Sequence, residues 1–258
     1  MSLCLLVALL APNEIREHEI RSPHQQGVTK IRVLSPIPLK KGQHYPVVYV
    51  LPVEAKSNSR YGDGLKEIQR LRLHRKHSAF FVQPTFSHLP WYADHPTNAK
   101  IRQETYLLKT VLPFVESRYP VQKKRSGRLL LGFSKSGWGA WCLLLRNPDV
   151  FEKAAAWDAP FVMTKMQYGS RPIFGTMQNF EKHRLMPLIR KSKADLNSRL
   201  GITGVANFGK HHEAMHAELQ RLKIKYFYSS QRKKSHRWES GWLESSVRFL
   251  LKTAVQYK

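Results

Sequence analysis

The residues able to do chemistry in this chain are a serine set among glycines, a histidine close to the end, and carboxylates that close apolar runs. Arg128-Leu-Leu-Leu-Gly-Phe-Ser-Lys-Ser-Gly-Trp-Gly-Ala140 passes from a strand-like segment through a glycine-serine turn into an apolar, helix-like segment reaching Leu145. That order predicts a nucleophile elbow, a turn so tight that Ser134 is held in strained backbone with its hydroxyl exposed beyond the strand's carboxyl end. Gly132 stands two before the serine, as such a turn needs. Two after it stands Ser136, where the G-x-S-x-G pattern has glycine, and Gly137 and Gly139 keep the helix start slim.

A serine nucleophile needs a base to take its proton, and the base needs a partner to hold its tautomer. His236 is the only histidine after the last predicted strand, in Ser235-His-Arg-Trp238, where Trp238 is placed to wall the pocket. The acid has two candidates. Asp158 closes the apolar run Ala154-Ala-Ala-Trp-Asp158, whereas the end of the following strand carries Asn207, which could orient an imidazole but could not stabilise its cation by charge. Asp158 is the preferred acid, with helix capping as its competing role. An oxyanion hole would draw one backbone N–H from Lys135 and another from the turn at Val53 or Glu54. The Lys135 side chain would add positive field, favouring anionic transition states and anionic substrates.

A second chemistry is also written in the chain. His212-Glu-Ala-Met-His216 matches H-E-x-x-H, which on a helix offers two zinc ligands and a general base. Its third ligand would have to be Glu218 or His236, neither of which the spacing singles out. Cys4 and Cys142 form no disulfide framework and no metal-ligand spacing. No cofactor is called for.

The elements that must position these residues alternate between strand and helix. A hairpin over 17–34 turns at Gly27; strands are predicted at 45–53, 78–84, 128–133, 154–158, 200–208 and 225–230, and helices at 64–74, 101–119, 134–145, 211–222 and 242–255. Such alternation predicts an α/β fold, a doubly wound, mostly parallel sheet flanked by helices, with ligands at the strands' carboxyl ends. The loop at 85–96 is aromatic, and Trp91 in it is expected in the substrate pocket. The irregular stretch 161–193 reads as a small cap or insertion. With 258 residues, 42% of them hydrophobic, the chain is expected to form one domain over 1–258.

The net charge is +25, from 43 Lys and Arg against 18 Asp and Glu. The cations are scattered, the densest clusters at 123–125 and 232–234 being short and free of aromatics, so no specific nucleic-acid platform is expected. Residues 1–11 are apolar but too short to span a membrane and lack a basic leader. A cytoplasmic protein is expected, or a secreted one if that start is a truncated signal.

On Tyr49-Val-Leu-Pro-Val-Glu54, Gly132-Phe-Ser-Lys-Ser-Gly-Trp-Gly-Ala140 and His236-Arg-Trp238, the chain resembles bacterial serine esterases of the α/β-hydrolase superfamily, of the esterase D and carbohydrate-esterase type. The resemblance runs from about Val47 to the C-terminus. It implies an acyl-enzyme mechanism with Ser134 as nucleophile, His236 as base and an oxyanion donor near Val53, acting on small-molecule or carbohydrate esters. It also implies acyl transfer to other alcohols as a subclass. Ser136 and Asn207 depart from the family pattern. Two other readings stand beside it: a binding protein of the same fold that has lost catalysis and works through its basic surface, and the zinc hydrolase just described.

Overall fold

The computed structural model describes residues 14–229 and 235–252; the apolar start at 1–11, Cys4 and the basic cluster at 232–234 lie outside them. The described residues form an eight-stranded sheet: β1 (Ile15–Arg21), β2 (Val28–Leu34), β3 (Val47–Val50), β4 (Phe80–Pro84), β5 (Arg128–Phe133), β6 (Lys153–Trp157), β7 (Leu200–Ile202) and β8 (Phe227–Tyr228). Their order is β1-β2-β4-β3-β5-β6-β7-β8. The hairpin β1–β2 joins β4 antiparallel, and every other pairing is parallel. From β3 the chain steps out to β4 on one side and returns to β5 on the other. The carboxyl ends of β3 and β5 therefore flank the switch point at which ligands bind in sheets of this kind.

The alternation of side chains along the central strands shows why helices cover both faces. Tyr49, Leu130, Ala154 and Ala156 face one core, which includes the helix Ser134–Arg146, the helix Gly209–Arg221 and the helical run over 103–118. Val48, Val50, Leu131, Phe133, Ala155 and Trp157 face the other, under the helices Gly64–Arg70 and Leu243–Leu251. Strands apolar at every position are stable only when both faces are buried, which is the parallel-sheet arrangement.

Several elements are shorter than their apolar runs. The run at 45–53 is strand only over Val47–Val50, with Leu51 adding one more N–H to the Leu131 carbonyl, because the flanking prolines at 46 and 52 bring no N–H. The segment at 200–208 is strand only over Leu200–Ile202; Thr203 still donates to the Ala156 carbonyl at 3.0 Å, the chain turns at Gly204 with φ of 121°, and the amides of 206–208 are used elsewhere. The last strand is confined to Phe227–Tyr228, and the closing helix is described over Leu243–Leu251. The helix predicted over 64–74 ends at Arg70, with Arg72 in the left-handed region at φ of 56°. The one at 101–119 is a continuous run whose turn Leu107–Val111 widens just ahead of Pro113, which has no N–H to give. Between β6 and β7 lie three short helices, Arg171–Phe174, Met177–Glu181 and Leu185–Lys191. They pack towards the helix Ser134–Arg146, with Phe174 edge-on to Trp138.

Candidate active site

Ser134 is the first residue of the helix Ser134–Arg146, immediately after β5, and its φ is 53°. A non-glycine residue in that region is strained by its own Cβ, and the surrounding packing holds it there. A Cβ at Gly132 would lie 2.2 Å from the Ser136 carbonyl oxygen, so only glycine fits beneath the turn. Ser136, the departure from the motif, locks the same turn from inside. Its hydroxyl accepts from the Phe133 N–H at 3.1 Å and donates to the Phe133 carbonyl at 2.9 Å.

Asp158 follows β6 directly, with φ of 43° and no solvent exposure. One carboxylate oxygen, Oδ1, accepts from the backbone N–H groups of Ala206, Asn207 and Phe208 at 2.9, 2.9 and 2.8 Å. The other, Oδ2, lies 2.5 Å from His236 Nδ1. Burial favours the neutral acid, but the hydrogen bonds from His236 and from the amides of Asn207, Phe208 and Ala206 outweigh it and hold the carboxyl below its ordinary value. The three amides belong to the segment just before the helix Gly209–Arg221, so the carboxylate ties that segment to the end of β6 and does not cap the chain that follows Pro160. Asn207 enters through its backbone amide.

His236 sits in a box of rings. Tyr61 and Phe133 meet it edge-on at 5.4 and 5.0 Å, and Trp157 stacks on it at 6.1 Å. Trp242 lies parallel to Trp157 at 5.3 Å, and its indole N–H donates to the Arg237 carbonyl at 3.0 Å, anchoring the residue after the histidine. With Nδ1 committed to Asp158, Nε2 is the ring nitrogen left for proton transfer.

Ser134 and His236 line one cavity of about 290 Å³, together with Tyr61, Lys135, Pro160, Tyr168, Asn207 and Phe208. Tyr61, Tyr168 and Phe208 were not singled out from the sequence. Each is an aromatic residue in a segment that follows a strand's carboxyl end, and that position was the available signal. Lys135 Nζ stands 3.6 Å from Glu54 Oε1, and burial lowers the lysine's pKa against the attraction of Glu54. Val53 and Glu54 lie in the turn after β3 and line an adjoining polar cavity that shares Tyr61. Trp238 lines that second cavity and packs edge-on behind Phe133 at 5.0 Å. Trp91 does not line the cavity around Ser134. It is fully buried against Trp138 and Phe174, because its loop folds inward over the helix Ser134–Arg146.

The residues of the H-E-x-x-H match are engaged singly. His212 Nε2 accepts from the Ala159 N–H at 2.9 Å, and burial depresses its pKa to about 4, so the ring is neutral. The His216 ring meets the Tyr226 hydroxyl, Glu213 is exposed, and Glu218 is ion-paired with Arg190 and Arg221. Among the described residues no group of three or more His, Cys, Asp or Glu side chains is arranged to hold a metal ion.

The fold has many counterparts. S-formylglutathione hydrolase (FrmB) of Staphylococcus aureus superposes with a TM-score of 0.72 at 16% identity, over 93% of this chain and 99% of that one. The fluorophosphonate-binding serine hydrolase FphF of Staphylococcus aureus gives 0.74 at 17% identity, over 93% and 98%. A ferulic acid esterase gives 0.72 at 19%, over 92% and 98%. No curated protein matches the chain in sequence. The family model described as "Putative esterase" matches residues 22–238, from the hairpin through His236 and Trp238, and the chain belongs to that esterase family, built on the α/β-hydrolase plan.

Proposed function

We propose that the protein hydrolyses carboxylic esters through an acyl-enzyme, with Ser134 as nucleophile, His236 as general base and Asp158 as the acid behind it. The observation that carries this reading is the 2.5 Å contact between His236 Nδ1 and a buried Asp158, with His236 and Ser134 lining one cavity in front of it. His236 Nε2 takes the hydroxyl proton as Ser134 Oγ adds to the ester carbonyl. The imidazolium so formed is stabilised by Asp158 and returns the proton to the departing alcohol as the carbon–oxygen bond breaks. Water, deprotonated by the same nitrogen, then adds to the acyl carbon, and the bond to Ser134 Oγ breaks as the imidazolium returns the proton to that oxygen, releasing the acid. Backbone N–H groups of Lys135 and Val53 receive the developing oxyanion, Lys135 at a helix N-terminus where the peptide dipoles favour negative charge.

The substrate we propose is a small ester whose acyl part carries an anion. Lys135 reaches the cavity with its ammonium loosely held by Glu54, Arg60 stands near it, and the excess of positive charge steers anions toward the molecule. We propose further that the chain is one domain and that 161–193, which places Tyr168 on the cavity wall, acts as its cap. No helix among the described residues is long and apolar enough to cross a membrane.

The test is hydrolysis of a short-chain p-nitrophenyl ester. Wild type cleaves it, chelator leaves the rate unchanged, and Ser134→Ala abolishes it; activity that survives the substitution refutes the mechanism.

A further inference from the structure

The Tyr92 phenol connects the turn after β3 to the turn that carries Ser134. Its hydroxyl donates to the Pro52 carbonyl at 2.5 Å. The peptide from Pro52 to Val53 is planar and trans, so its C=O and N–H point in opposite directions and fixing one aims the other. Leu51 is the last residue tied to β5, through its N–H to the Leu131 carbonyl at 2.8 Å. Beyond it the chain leaves the ladder, and Pro52 brings no N–H of its own. The phenol supplies the hold that the sheet no longer gives.

Tyr92 is itself held from two sides. A Cβ at Gly139 would come within 2.0 Å of the tyrosine ring, so the ring lies directly on the backbone of the elbow helix. The Tyr92 backbone is left-handed, with φ of 56°, and its N–H and that of Trp91 both donate to the Oε1 of the buried Gln103 at 2.8 Å. The Ser136 hydroxyl, which bridges the N–H and C=O of Phe133 one residue before the nucleophile, acts against burial to lower the phenol's pKa. Burial keeps the phenol protonated and hence a donor.

From this geometry we infer that Tyr92 is a positioning residue for the oxyanion hole, setting the direction of the Val53 N–H against the Lys135 N–H. The inference rests on the serine esterase reading with Val53 as one of the two donors. A phenol that merely satisfied a buried carbonyl would influence stability alone. One that aims a donor influences the transition state, where the oxyanion exists, and leaves substrate binding nearly untouched.

The experiment compares wild type, Ser134→Ala and Tyr92→Phe, the last keeping the ring against Gly139 and removing only the hydroxyl. Phosphonylation of Ser134 by a p-nitrophenyl phosphonate is expected to slow about 10–100-fold in Tyr92→Phe, with kcat falling alike and KM within about twofold of wild type. A ratio read in the same samples is independent of how much variant is folded. The rate for an oxo ester over that for its thiono counterpart, whose sulfur fits an oxyanion hole poorly, should drop about tenfold in Tyr92→Phe. If wild type is not phosphonylated at Ser134, the esterase reading falls and this one with it. If wild type is labelled, Ser134→Ala is not, and Tyr92→Phe matches wild type in rate and in the oxo/thiono ratio, only the role of Tyr92 is overturned.

Discussion

His236 Nδ1 stands 2.5 Å from Asp158 Oδ2, while the second oxygen of the same carboxylate is occupied by three backbone amides. Asp158→Asn keeps the side chain's shape but presents an amide that cannot stabilise imidazolium, and kcat should fall by about 10²–10⁴-fold. Asn207→Ala removes a side chain and leaves its backbone N–H in place, so kcat should stay within about threefold of wild type. Equal losses in the two variants would mean that Asp158 is not the acid. The carboxyl is held below its ordinary value in the folded protein, so its contribution to stability is complete above about pH 4 and drains away as the pH falls through the folded value.

Lys135 offers a separate handle on specificity. For two aryl esters with the same leaving group, one acyl part neutral and one a hemisuccinate, Lys135→Met should lower the anionic-to-neutral ratio of kcat/KM by about tenfold, since an ion contact in a partly buried site is worth about 1–2 kcal/mol. Raising the salt concentration should lower the same ratio in wild type. An unchanged ratio in the variant would remove the anion from the substrate proposal.

The H-E-x-x-H residues should answer to stability and not to turnover. Glu213→Gln and His216→Ala are expected to leave kcat unchanged, with or without chelator. His212→Ala leaves the buried Ala159 N–H without its acceptor and should cost about 1–3 kcal/mol in denaturant unfolding. Loss of esterase activity in Glu213→Gln would return the zinc reading to contention.

His74 predicts an acid weakness unrelated to catalysis. It is fully buried with neither ring nitrogen hydrogen-bonded among the described residues, and burial, with Arg75 beside it, lowers its pKa from 6.5 to about 4. Below pH 6.5 the unfolded chain takes up a proton that the folded chain refuses, so stability declines as the pH drops from 6.5 toward 4. His74→Leu should raise Tm at pH 5 more than at pH 7; equal shifts at both values would show that the imidazole does not titrate on unfolding.

What could be read from the sequence is what short-range sterics and burial dictate. β5 runs from Arg128 to Phe133 as its apolar pattern says, because a strand covered on both faces shows no alternation and the glycine-serine turn ends it sharply. The contact of Asp158 with His236 followed from strand order, since both stand at carboxyl ends of one parallel sheet. Other features depend on tertiary contacts that leave no local trace. Leu200–Ile202 is short because Asp158 draws the amides of 206–208 out of any ladder, a pull that originates some fifty residues away. Trp91 looked like a pocket wall because loops at strand ends usually face ligand, yet Gln103 gathers the amides of Trp91 and Tyr92 and turns the first ring into the core. Tyr92 carried no motif at all; its relation to Pro52 exists only once the loop has folded back over Gly139.

The manner in which Asp158 grips the segment at 206–208 leaves that wall of the cavity open to variation. The carboxylate holds only main-chain N–H groups there, and every residue but proline supplies one. The side chain at 207 can therefore be exchanged, and with it the shape offered to an acyl group, while the contact of Asp158 with His236 stays as it is; Phe208, whose ring lies 6.0 Å from that of His236, is the position to keep. A library randomised at 207 would vary substrate preference on a fixed frame.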